Sequence, residues 1–219
     1  CFANPFASNR KTMKTSIRAA IGAIAAFAIV YSSAALAFDG TVWRAAGQVL
    51  QSISSKEVTA AGTLEVAFSP KQGAEALVLK AIDSARSSIK VMAYSFTSSR
   101  VTAALLRAQK RGVAVSLVAD EEHNLKNGAS PKARAAFSAL SLAGAQVRLI
   151  SAYAIHHDKV LIIDDLHVQL GSYNYSESAA TRNSENVLVN WNNPALAAVH
   201  ASYIPKNIGC MQIKYSPNC

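Results

Sequence analysis

An α/β fold, with a mixed, largely parallel β-sheet flanked by helices on both faces, is predicted from residue 64 onward by three observations. Strand and helix periodicity take turns through five consecutive segments, each helical segment closes in basic residues with polar or glycine punctuation, and an Asp164-Asp165 pair joins two of the last strand-like runs. Alternation of this kind means strands crossing over through helices, hence parallel pairs covered on both faces. The Asp-Asp pair reads as a tight turn, which makes the end of the domain an antiparallel hairpin.

The elements follow in chain order. Residues 1–12, "CFANPFASNRKT", precede Met13 and read as translated upstream sequence, so they are excluded from the fold. Residues 13–37 have the layout of a secretory signal peptide: Lys14 and Arg18, an apolar run from Ala19 to Val30, then Ala35-Leu36-Ala37. A core helix or an uncleaved anchor is the competing reading, but the run is short for a membrane span of roughly 20 residues. Cleavage after Ala37 and export to the periplasm or beyond are therefore expected. Residues 38–63 hold an amphipathic helix, with Val42, Ala46, Val49, Leu50 and Ile53 on one face, and the linker "TAAGT".

In the main domain, residues 64–200, "LEVAFSP", "SIKVMAYSF" and "VAVSLVAD" are strands, separated by helices in "GAEALVLKAIDSARS" and "SRVTAALLRAQKRG". Ser98 or Ser99 is placed to cap the second helix. A helix in "SPKARAAFSALSLAG" and the strands "QVRLI", "KVLIID", "HVQLGS" and "NVLVNW" complete the set. The polar stretches "DEEHNLKNGASP" and "SAYAIHH" are loops, and α/β folds place their sites in loops at strand ends.

Composition narrows the function. The 219 residues suit one globular domain and carry 22 basic against 13 acidic side chains. Without residues 1–37 the chain keeps 18 basic residues and all 13 acids, a positive balance that favours polyanionic partners. Cys210 and Cys219 survive cleavage as an even pair bound for an oxidising compartment, a disulfide candidate. No C-x-x-C occurs and the histidines lie elsewhere, so neither a metal site nor a cofactor is expected.

Chemistry concentrates in "HHDKVLIIDDLHVQLGSYN", residues 156–174. Side chains two apart on an extended backbone share a face, so His157 pairs with Lys159 at the start of one strand and Ser172 with Asn174 on its hairpin partner. An imidazole, an ammonium, a hydroxyl and an amide suit a phosphodiester: the imidazole attacks phosphorus, and the cation and donors hold the non-bridging oxygens. Asp164, at the strand end, reads as a turn or structural residue. His156 points to the opposite side of the strand and reads as a packing or surface residue. His123, in "DEEHN" at a strand end, is either on the substrate rim or an ordinary loop residue; Tyr173 and Tyr175 either stack on bases or pack the hairpin.

The stretch resembles the H-x-K-x4-D-x6-G-S-x-N motif of the phospholipase D superfamily, with His157, Lys159, Asp164, Gly171, Ser172 and Asn174 in all six places. From Leu64 to Trp191, with "AYSFT" and "NSEN", the chain is similar to the small secreted endonucleases of that superfamily. The resemblance implies a phospholipase D/nuclease fold, a histidine nucleophile, phosphate held by Lys159, Ser172 and Asn174, and Glu185 of "NSEN" orienting His157. It implies a metal-independent hydrolase of DNA and RNA phosphodiesters. Because no other histidine has lysine two residues on, it also implies a homodimer that brings two motifs together at a twofold axis. Two other readings stand beside this: a phospholipase D acting on membrane lipid headgroups with the same residues, and a nucleic-acid-binding or conjugation-accessory protein without turnover. The resemblance ends after His200, leaving residues 201–219 as a divergent tail.

Overall fold

A computed structural model describes residues 55–126 and 130–204. The expected signal peptide, the expected amphipathic helix from Val42 to Ile53 and the disulfide candidate Cys210 and Cys219 lie outside the described residues. In chain order the elements are β1 (Thr63–Ser69), α1 (Ala74–Ser84), β2 (Ser88–Ala93), α2 (Ser99–Lys110), β3 (Ala114–Asp120), α3 (Glu121–Leu125), α4 (Pro131–Leu142), β4 (Gln146–Ile150), β5 (Lys159–Ile163), β6 (His167–Gly171), α5 (Glu177–Thr181), β7 (Glu185–Trp191) and α6 (Pro194–Tyr203).

Local chemistry accounts for the boundaries. Ser98 caps α2 by accepting from the Val101 amide, and Arg107 and Lys110 oppose the negative end of the same helix. Ser130 caps α4 ahead of Pro131, whose missing N–H costs nothing in a first turn. The stretch "DEEHN", predicted as loop, holds the short helix α3, because the Asp120 carboxylate accepts from the His123 amide and two glutamates occupy the first turn. β5 is buried on both faces along its whole length, as a continuous apolar run requires. Asp164 and Asp165 both adopt positive φ, the handedness of a two-residue turn between antiparallel strands, and join β5 to β6 as predicted.

The seven strands form one sheet in the order β1-β7-β6-β5-β2-β3-β4. The mixed α/β sheet is as expected, with one correction: parallel pairing is confined to β2-β3-β4, and the other four pairings are antiparallel, so the sheet is not largely parallel. β1 does not join its βα successor; it crosses to the far edge and pairs with β7 over seven residues. Helices α1, α2, α4 and α5 bury their apolar stripes on one face. On the other face α6 packs through Ala197 and Leu196 onto Met92, Val160, Ile162 and Val168.

This topology positions the site. Antiparallel neighbours run in opposite directions, so the end of β2, the start of β5, the end of β6 and the start of β7 meet at one end of the sheet. His157 and Lys159 precede or open β5, Ser172 follows β6, and Glu185 opens β7.

Candidate functional site

His157 does not begin a strand as predicted; β5 starts at Lys159, and His157 sits in the turn before it. The residues on either side of it are pinned. The His156 amide donates to Asp120 Oδ2 at 2.8 Å, and the Asp158 carbonyl accepts from the Tyr94 amide at 2.8 Å. The His156 ring is buried, with Nδ1 3.2 Å from Asp158 Oδ2, and burial lowers its pKa against the pull of Asp158. With both neighbours tied down, the His157 ring is left exposed, leaning on Tyr94 at a centroid distance of 4.7 Å.

Lys159 is only 6% exposed. Its Nζ donates to the His157 carbonyl at 2.7 Å and lies 5.1 Å from the centre of the Tyr94 ring. Burial lowers the ammonium pKa, and the Asp158 and Glu185 carboxylates partly restore it. Tyr94 therefore joins the two motif residues, and on its other side it stacks on His123 at 4.1 Å and 28°.

Across the sheet end, Ser172 Oγ donates to Glu185 Oε2 at 2.6 Å and accepts from the Asn186 amide at 3.1 Å. Asn183 Nδ2 donates to Glu185 Oε1 at 2.9 Å. Among the described residues no hydrogen bond joins Glu185 to His157; the carboxylate fastens the serine instead, which departs from the role the resemblance implies. The buried Asn174 Oδ1 has no hydrogen-bond partner among the described residues. Gly171 is required by space: at φ +150° a Cβ there would lie 2.2 Å from the Asn186 carbonyl oxygen.

Asp164 belongs to the opposite end of the hairpin and is structural, as its strand-end place predicts. Its carboxylate accepts from the Arg86, Ser87 and Ser88 amides and from Ser87 Oγ. Burial raises its pKa, but the bonds from Ser88, Ser87 and Arg86 outweigh that and bring it down to about 2. The depressed carboxyl contributes stability above its unfolded pKa, and this is lost as pH falls through about 2. Asp164→Asn is expected to cost roughly 2 kcal/mol in urea unfolding at neutral pH. It should also flatten the acid limb of thermal unfolding below about pH 4.

Tyr173 is corrected: it is fully buried, so it forms no part of a substrate rim, and Tyr175 beside it is buried with its hydroxyl donating to Gln169 Oε1 at 2.9 Å. Both pack the hairpin, and burial raises both phenol pKa values. His167 accepts from the Asn192 amide through Nδ1 at the far end of β6. Among the described residues no three His, Cys, Asp or Glu side chains are grouped to hold a metal. Sequence reasoning passed over Tyr94; its only signal was its place in "AYSFT", just past the end of β2.

Residues 78–204 match the family described as cardiolipin synthase, PLD-like domain. A phospholipase D from Rickettsia bellii is 39% identical over 122 residues, 56% of this chain and 58% of that protein. A mitochondrial cardiolipin hydrolase from Danio rerio is 32% identical over 113 residues, 51% of this chain and 47% of that protein. The chain thus spans about half the length of these relatives. The crystal structure of a phospholipase D family member, Nuc from Salmonella typhimurium, superimposes with a TM-score of 0.61 at 43% identity, covering 64% of this chain and 90% of that one.

Proposed function

The chain belongs to the phospholipase D family, and from that premise we propose that it is an exported phosphodiesterase that cleaves DNA and RNA through a covalent phosphohistidine on His157. The observation that carries the reading is the juxtaposition, through one tyrosine ring, of an exposed imidazole and a buried ammonium. A histidine nitrogen free at the surface attacks phosphorus; the bond to the leaving oxygen breaks as the new P–N bond forms. Lys159 neutralises a non-bridging oxygen from a poorly hydrated position, where a fixed charge acts more strongly than in water. Ser172 and Asn174 add polar contacts, with Glu185 acting on the serine it holds at 2.6 Å.

The reaction also needs an acid for the leaving oxygen and a base for the attacking water, and the chain has one H-x-K. A second His157, from a symmetric partner, fills both roles in turn. A dimer is supported by an apolar row on edge strand β1, where Leu64, Val66 and Phe68 are 63%, 51% and 48% exposed. The row ends beside Ser69, which pairs with Glu185.

A phospholipase D reading is favoured by a separate observation. Tyr153 and Ile155, just before His157, are exposed and would give the site an apolar rim suited to a lipid surface. Digestion of plasmid DNA, RNA and phosphatidylcholine vesicles in excess chelator decides between them. The nuclease reading expects nucleic-acid cleavage that survives chelation; headgroup release with intact DNA would replace it with the lipase.

A further inference from the structure

We infer that the cleft beside Tyr94 seats the nucleoside flanking the phosphate under attack, with its base stacked on His123; this rests on the nuclease reading above. The cleft encloses about 410 Å³, within the range that takes a small-molecule group. Its walls are Tyr94, Ser95 and Thr97 from the exit of β2, His123 from α3, Ser130 before α4, and Ile155 before β5.

Three rings form a ladder from this cleft to the nucleophile. His123 stacks on Tyr94 at 4.1 Å, and Tyr94 meets His157 at 4.7 Å. A base stacked on His123 extends the ladder by one ring, placing its own phosphate toward His157. The position of His123 is set from below, since its amide donates to Asp120 Oδ1 at 2.7 Å while Asp120 Oδ2 accepts from the His156 amide.

The polar groups of the cleft divide by whether they are spent. Asn124 accepts from the Phe96 amide and donates to the Tyr94 and Asp120 carbonyls, so it shapes the wall and binds nothing further. The hydroxyls of Ser95 and Thr97 are available to a sugar or a base edge.

The test uses a single-stranded oligonucleotide with one abasic residue, its intact counterpart, and bis(p-nitrophenyl) phosphate, a diester without a nucleoside. For the wild-type protein, cleavage at one of the two phosphates bordering the abasic residue is expected to fall about ten-fold. His123→Ala should cut the intact strand about ten-fold more slowly and erase the abasic penalty. His123→Phe, which keeps a stacking ring, should behave as wild type. An abasic penalty that survives His123→Ala, or a His123→Phe protein as slow as His123→Ala, would overturn the subsite. A wild-type protein that hydrolyses the small diester and leaves DNA intact would overturn the nuclease reading itself. A His123→Ala loss confined to phosphatidylcholine vesicles would assign the cleft to a lipid headgroup instead.

Discussion

His157→Ala is expected to abolish phosphodiester cleavage, by at least about 10⁴-fold, because the proposed covalent intermediate forms on this imidazole. The fold is expected to survive unchanged. The ring is exposed and, among the described residues, its aromatic contact is with Tyr94, so the change in unfolding free energy should stay within about 0.5 kcal/mol. Nucleic-acid affinity should persist, since Lys159 and the basic surface remain. Rapid quench of the wild-type protein with labelled substrate should trap an acid-labile phosphoprotein that the variant does not form. Because the proposed dimer needs both histidines, an excess of variant chains should also poison wild-type activity. Retained turnover in His157→Ala would remove the phosphohistidine mechanism.

Lys159→Met separates activity from stability in the same site. Losing the ammonium is expected to cost roughly 10²–10³ in kcat, the scale of one electrostatic contact to the developing charge. Stability should move the other way. Burial lowers the lysine pKa in the folded protein, so the unfolded chain binds the proton more tightly and stability rises with pH through the folded value. Methionine keeps the apolar stem and removes that burial cost, so Tm should hold or increase while activity falls. The same lowered pKa sets an alkaline limit on activity below the usual lysine range, and Lys159→Arg, which stays charged, should move that limit upward. A fall in Tm matching the loss of activity would mean that Lys159 is structural.

Particular residues show how far sequence alone reaches. Ser98 and the Asp164-Asp165 pair act within a few residues of themselves, by capping an amide or setting the hand of a turn, and each did in the fold what its local chemistry predicted. The spacing from His157 to Asn174 likewise exposed the motif, because a hairpin brings both of its halves together by short-range geometry. Tyr94 was passed over, and Tyr173 was left open between stacking on a base and packing the hairpin. Both depend on long-range packing: Tyr94 works through His123, His157 and Lys159 from two other segments, and Tyr173 is buried in the core.

The sequence by itself therefore determined the α/β class, the cap of α2 and the hairpin, all consequences of periodicity, backbone propensity and spacing. Only the tertiary structure decided that β1 crosses to pair with β7, that four of the six pairings are antiparallel, that Glu185 holds Ser172, and that a cleft opens beside Tyr94. Strand partnership and side-chain contact are set by long-range packing, where many pairings satisfy the same local pattern and burial of the whole core selects one.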